Sequence, residues 1–317
     1  GLTSSIYGLQ YFDAVTGERL GFQSAGHPYE ILLNPGGDFL FAGGESGLRR
    51  LPLRRTSVGG HELILTGRMK DPLVDGQITR MGWSEKRQRL AFSRNGKVGF
   101  VDHPGEPKQS AITELRGTPF AMNPVTISPD GRWIVSSGGD GGNTGLFIWD
   151  ADRPGLPRVL PGYPCFTQCR FSPDSSRLYA HSERSLTALA ADSLKVLWTQ
   201  PPRSRGETLH QLCLSGDGKL LAAALPPAAI GLFEAATGRP LAVLDHPDAG
   251  FTGWLAMDHT GSRLVVTALP DSVTSWDLRE LRRQLKELGL DWDMPPYPPA
   301  PEHKSLTLRF LPDMLSR

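Results

Sequence analysis

The chain has no apolar run approaching the roughly 20 residues that cross a bilayer as a helix, and no charged-then-apolar leader follows Gly1. Membrane insertion is therefore not expected, and the chain reads as soluble and cytoplasmic. Cysteine is scarce. Cys165, Cys169 and Cys213 are the only three, an odd count that argues against a disulfide framework. Cys165 and Cys169 offer half a metal site at most and read as single thiols in or near strands. No Asn begins a glycosylation sequon. Neither sign of charge dominates: 34 Lys and Arg against 33 Asp and Glu leave a formal charge of +1. Such a balance gives no global attraction to nucleic acid or to anionic membrane. The eight histidines, His27, His61, His103, His181, His210, His246, His259 and His303, fall at no metal-ligand spacing, so no metal or other cofactor is expected. What the chain has in quantity is glycine (36) and proline (27), as expected where turns join many short strands.

A repeat organises those turns. Six apolar-alternating runs end in polar turns, with anchors at Leu33, Trp83, Ile127, Phe171, Leu214 and Met257; subtraction of their numbers gives steps of 50, 44, 44, 43 and 43. That period fits a four-stranded propeller blade of about 40–45 residues. Asp130-Gly131, Asp217-Gly218, Thr260-Gly261 and Gly36-Gly37 follow the anchors, and such pairs tolerate the positive φ of tight hairpins. A second run follows each turn, as in Phe39–Ala42, Trp133–Ser136 and Leu220–Ala223. These runs are nearly all apolar or small, the composition of strands buried on both faces. A third run ends in Trp149-Asp150 and in Trp276-Asp277, with Phe233-Glu234 and Tyr11-Phe12-Asp13 at corresponding places before a turn ending Thr-Gly.

Over residues 6–278 this pattern resembles the WD40-repeat β-propellers, with Gly26-His27 and His246 near the Gly-His place of that family. Most modules lack the family's complete His, Ser/Thr, Asp and Trp set, which leaves a propeller of another subfamily open. The expectation is an all-β, seven-bladed propeller with six full blades and a partial N-terminal one. Ile6–Phe22 would supply the third and fourth strands of the partial blade. Two closures stay open: the C-terminal run Ser305–Phe310 completes the incomplete blade, or the N-terminal strands lie against the last one.

Residues 1–278 thus read as the propeller and 279–317 as a C-terminal helix, a proline-rich segment and a closing strand. Leu278, Leu281, Leu285 and Leu288 make a helical stripe, with Arg279, Glu280, Arg282, Arg283, Lys286 and Glu287 on the other face and Gly289 as a left-handed cap. The run Leu288-Gly289-Leu290-Asp291-Trp292-Asp293, followed by Pro295-Pro296-Tyr297, is similar to the end of WD40 regions in large bacterial serine/threonine kinase proteins. That resemblance implies an accessory domain of a signalling protein, with a kinase domain upstream. The chain itself carries no glycine-rich phosphate loop with a following strand lysine, no His-Arg-Asp and no Asp-Phe-Gly, so it reads as a non-enzyme.

Two stretches remain as candidate sites. Ser137–Gly145 is rich in glycine but lies between strands, where it reads as a hairpin loop and not as a phosphate cradle. Arg49, Arg50, Arg54 and Arg55 form the densest basic cluster, inside the module with the long step; they are the candidate partner-binding residues, for an acidic or phosphorylated protein. A protein-interaction scaffold is the leading function. The alternative is an enzyme or small-molecule binder using the mouth of a central channel.

Overall fold

The computed structural model describes residues 2–5, 8–13, 15–25, 27–58, 61–66, 72–104, 111–118, 124–140, 143–202, 211–226, 228–245, 252–268, 272–300 and 306–310. Within them one turn recurs five times. Asn34, Ser128, Ser172, Ser215 and Asp258 each donate their backbone N–H to, and their side chains each accept the N–H of, the residue five positions on: Phe39, Trp133, Arg177, Leu220 and Arg263. The residue three positions on donates back to the first carbonyl and takes positive φ, at Gly37, Gly131, Ser175, Gly218 and Gly261. The three serine turns, two Ser-Pro-Asp and one Ser-Gly-Asp, add an acid that accepts from the serine hydroxyl, as Asp217 does from Ser215 at 2.7 Å. A polar residue followed by a glycine-tolerant corner thus fixes a hairpin before any long-range packing exists.

Ser175 is the one non-glycine corner, at φ 63°. A left-handed L-residue costs about 1–2 kcal/mol, partly offset by the entropy glycine loses on folding. Ser175→Gly is expected to raise stability by about 0.5–1 kcal/mol, read as a higher urea midpoint at unchanged m-value. A lower midpoint would show that the serine side chain contributes more than its backbone costs.

These turns generate small antiparallel sheets of the β-propeller kind. The N-terminal sheet holds β1 (Leu2–Ser5), β2 (Gly8–Phe12) and β3 (Arg19–Ser24). Six sheets follow, each beginning at a predicted anchor run. The second sheet has β4 (Pro28–Leu33), β5 (Phe39–Gly44), β6 (Gly47–Val58) and β7 (His61–Thr66). In the third are β8 (Ile78–Ser84), β9 (Arg89–Arg94), β10 (Lys97–Asp102) and β11 (Ile112–Glu114), and in the fourth β12 (Val125–Ile127), β13 (Trp133–Asp140), β14 (Asn143–Asp150) and β15 (Arg158–Pro161). The fifth comprises β16 (Gln168–Phe171), β17 (Arg177–His181), β18 (Leu186–Ala190) and β19 (Val196–Gln200); the sixth, β20 (Leu212–Leu214), β21 (Leu220–Leu225), β22 (Ala229–Glu234) and β23 (Pro240–Asp245). The seventh has β24 (Thr252–Met257), β25 (Arg263–Ala268) and β26 (Ser272–Asp277); along the chain α1 (Leu278–Glu287) follows, and then β27 (Leu306–Phe310), which joins the second sheet.

The chain divides into two compact units, residues 1–161 with 302–317, and residues 162–301. In the first, β4, β8 and β12 adjoin in succession; in the second, β16, β20 and β24 do. First strands side by side are the propeller pattern. The second strands are buried on both faces as their composition required: β5 and β21 throughout, β9 and β17 in all but one residue.

Residues at fixed places in the repeat tie the second strand to the third, and one of them also reaches the neighbouring sheet. Arg89 opens β9 and is buried; it grips Asp102 at the end of β10 through Nε and Nη2 (2.6 and 3.0 Å) and reaches the next sheet's turn through Gly131 O (2.9 Å) and Asp152 (3.2 Å). Hydrogen bonding to Asp102 is the main cause that raises the guanidinium pKa above its ordinary value, against the cost of burial. Arg263 holds Asp277 in the same register at 3.0 Å, and Arg132, one residue before β13, holds Asp150 at 3.1 Å. The acid that ends the third strand is therefore a tie for an arginine at or beside the start of the second. Phe100-Val101-Asp102 fills the same place without a tryptophan.

Three details differ from expectation. A strand at Leu2–Ser5 precedes the two foreseen in the N-terminal sheet; it adjoins β4 as β5 adjoins β8 and β9 adjoins β12, so it stands as a second strand. The C-terminal run, observed as β27, does not pair in that sheet. It pairs parallel to β7, Leu306 opposite Glu62 through Phe310 opposite Thr66. Leu33, expected as an apolar anchor, is 50% exposed. It is the last residue of β4, and Ile31 and Leu32 pack into separate clusters in its place.

Candidate interaction site

The 50-residue step has a structural cause. β6 is 12 residues long, about twice its counterparts. Its first half, Gly47–Pro52, pairs with β5; its second half, Leu53–Val58, runs past β5 and pairs with β7, which then receives β27. Beside the first half, Leu48 and Val74 form a single bridge in place of an outer strand. The result is a three-stranded projection, β6–β7–β27, built on the second sheet.

This projection separates the predicted arginines. Arg49 and Arg50 sit on the half paired with β5, Arg54 and Arg55 on the half paired with β7. Arg49 is half-buried and donates to the carbonyl and hydroxyl of Ser46 at 3.1 and 3.0 Å. The Arg50 guanidinium lies 4.0 Å from the Phe39 ring centre, and Phe39 leads into an aromatic group with Phe41 and Trp83. Arg54 and Arg55 are exposed. Alternation puts Arg50 and Arg54 on one face of β6 and Arg49 and Arg55 on the other. The latter face carries Leu53, which packs with Leu308 of β27 onto Leu9 and Tyr11 of the N-terminal sheet. The four arginines are therefore not one patch. The register adds one that the sequence cluster did not contain: Arg309 stands opposite Leu65, which stands opposite Arg54.

The other candidates are structural. Residues 137–140 and 143–146 pair across the β13–β14 hairpin, Ser137 opposite Leu146 and Asp140 opposite Asn143; Gly141 and Gly142 lie outside the described residues. Cys169 and Cys213 are buried, and burial pushes both thiols up to about 12, far from a thiolate nucleophile. Among the described residues no group of three or more His, Cys, Asp or Glu is arranged to hold a metal. His27 pairs with Glu45 at 3.6 Å; Gly26, His210, His246 and His303, and the side chain of His61, lie outside the described residues. Of the repeat anchors, Ile127 and Phe171 are buried, while Trp83, Leu214 and Met257 are half-buried. Trp149 is fully buried and donates Nε1–H to Arg116 O at 2.8 Å. Trp276 is half-buried in the cluster beneath α1, and its Nε1 has no hydrogen-bond partner among the described residues.

The C-terminal segment holds the residue that sequence reasoning placed wrongly. Asp277 caps α1, accepting from Arg279 N and Glu280 N at 3.0 and 3.2 Å. The helix ends in a Schellman motif: Leu290 N–H reaches Leu285 O, Gly289 N–H reaches Lys286 O, and Gly289 takes φ 70°. Leu278, Leu281 and Leu285 pack inward, but Leu288 is 71% exposed. Arg282, expected on the solvated face, is buried. It grips Asp291 through Nε and Nη2 (2.8 and 3.1 Å) and donates to the carbonyls of Pro295, Met294 and Trp292. The Asp-Trp-Asp-Met-Pro-Pro-Tyr run is thus folded around one guanidinium. Burial pushes the Tyr297 hydroxyl up to about 12, so it stays neutral beside that charge. The signal was present in the sequence as an acid and aromatics nine to fifteen residues after an arginine, but that spacing has no periodicity to announce it.

No protein-family profile matches the chain.

Proposed function

We propose that the chain is a non-catalytic protein-interaction scaffold, a seven-bladed WD40-type propeller serving as an accessory domain of a larger bacterial signalling protein of the kinase type, in the cytoplasm. The observation that carries this reading is how the chain uses its polar side chains. Asp102, Asp150 and Asp277 hold arginines, the serine-acid turns close hairpins, and the two buried thiols are kept protonated. These acids and thiols are committed to architecture, while the feature that departs from the repeat is a surface projection carrying arginines. Surfaces of this kind bind by shape and charge.

The test is deletion of this region from the full-length gene product. Phosphorylation of a short generic peptide is expected to stay within about twofold, while phosphorylation of the native target falls about a hundredfold as the effective concentration from docking is lost. Unchanged target phosphorylation would remove the scaffold reading. A full-length product without a kinase domain would remove the signalling assignment and leave the scaffold.

A further inference from the structure

We infer that the proline run after α1 is a displayed ligand: Pro295, Pro296, Pro298 and Pro299 form two ridges of a polyproline II helix that dock into an aromatic-lined groove of a partner protein. This rests on the reading of the chain as an interaction scaffold and names the chemistry that one partner would bring.

Covalent geometry sets the conformation first. Each proline fixes its own φ at about −65°. A residue before a proline is kept out of the α region, which applies here to Met294, Pro295, Tyr297 and Pro298. Polyproline II, with three residues per turn and about 3.1 Å of rise per residue, meets both restrictions. The contacts agree with that period. Arg282 donates through Nη1 to Pro295 O at 2.7 Å, and Arg279 donates through Nε to Pro298 O at 2.8 Å. The two carbonyls are one polyproline turn apart, and both are taken by α1. The same period sorts the side chains. Pro295 and Pro298 share one ridge, Pro296 and Pro299 the next, and Tyr297 begins the third. Tyr297 packs into the cluster beneath α1, whereas all four prolines are exposed. Among the described residues no donor reaches the carbonyls of Pro296 or Pro299.

These features separate a ligand from a linker and from a strap. A linker is tied to nothing, but two arginines and a tyrosine hold this segment against its own helix. A strap that covers a core buries its rings, but here the tyrosine is the anchor and the proline rings are left in water. Adjacent proline ridges that repeat after a turn of about 9 Å fit a groove of aromatic rings, each gap between rings seating one proline pair. Because the run is ordered before it binds, association loses less conformational entropy than it would with a free peptide. Charge narrows the groove further. Asp293 is exposed just ahead of the prolines, and residues 291–300 contain no Lys or Arg. The groove rim that meets that end is therefore neutral or basic.

The test titrates the full chain into a fluorescein-labelled WW domain that binds octaproline, followed by anisotropy. The chain is expected to bind, and unlabelled octaproline to displace it. Pro296→Ser with Pro299→Ser should weaken binding about tenfold. Pro201→Ser with Pro202→Ser, an exposed proline pair elsewhere on the chain, should change it less than about twofold. A free peptide of residues 291–300 should bind about tenfold more weakly than the chain, since it is not ordered beforehand. No binding, equal losses in the two serine pairs, failure of octaproline to compete, or a peptide as tight as the chain would each overturn the assignment. If the first pair exposes the segment to trypsin, Pro299→Ser alone decides, because it lies beyond the last carbonyl held by an arginine. A loss of about threefold is expected there, and wild-type affinity would count against the proposal. Failure here, with target phosphorylation still lost in the deletion described above, removes the proline ligand and leaves the scaffold standing.

Discussion

Arg282→Ala is expected to lower stability by about 3–5 kcal/mol, the cost of breaking a buried charge pair and stranding its partners. The guanidinium makes five contacts: two to Asp291 and one each to the carbonyls of Trp292, Met294 and Pro295. It also lies 5.4 Å from the ring centres of both Trp292 and Tyr297. Among the described residues those two aromatics have no compensating bond of their own, since Trp292 Nε1 and Tyr297 Oη are buried without partners. The segment after α1 is therefore held by Arg282, by one hydrogen bond from Arg279 Nε to Pro298 O at 2.8 Å, and by apolar contact with the cluster that includes Leu232, Leu264 and Leu278. Arg282→Lys should recover only part of the loss, because an ammonium has three donors and no planar fork to match the carboxylate. The loss should also be local before it is global. In Arg282→Ala, trypsin should cut after Arg279, Arg283 and Lys286 under conditions where the wild type is intact. Equal cleavage rates and unfolding free energies from urea titration within about 0.5 kcal/mol of each other would show that the apolar contacts suffice.

The contrast between that segment and the turns explains how much the sequence disclosed. The hairpins were legible because each is decided within six residues: Ser215, Asp217, Gly218 and Leu220 contain the whole hydrogen-bond set of their turn. The second strands were legible from composition alone, since the interior of a strand buried on both faces has no room for charge and arginines stand only at its ends. The projection of the second sheet was visible only as an irregular step of 50. Neither the switch of β6 from β5 to β7 nor the parallel docking of β27, some 240 residues downstream, leaves a local trace. The arginine cluster was found by counting and then divided by alternation at Leu53. Arg309 joined Arg54 only through a pairing register, which a single sequence does not contain. Arg282 was misread because helical periodicity ranks a residue by its own helix, whereas its burial comes from the chain that folds back over it.

A loss of the same size is expected at Trp149, and its pattern across substitutions separates packing from hydrogen bonding. The indole is fully buried among Ala91, Val98, Phe100 and Leu115 of the third sheet's module and Val125, Ile127 and Ile134 of the fourth. Trp149→Ala should cost about 3–5 kcal/mol through the cavity alone, a large share of the 5–15 kcal/mol that holds an ordinary domain. Trp149→Phe keeps most of the volume but leaves the Arg116 carbonyl, which accepts the indole N–H at 2.8 Å, without that donor; this should cost about 1–3 kcal/mol. Trp276 stands at the corresponding place of the seventh sheet, yet it is half-buried and its Nε1 has no partner among the described residues to lose. Trp276→Phe should therefore cost less than about 1 kcal/mol, because it removes an unsatisfied donor from a buried site. Urea titrations of the three variants measure the difference. If the two phenylalanine variants lose stability equally, the hydrogen bond to Arg116 is not what distinguishes them. If Trp149→Phe alone is costly, the tryptophan of this repeat ties sheets together only where the preceding module offers a carbonyl to its indole.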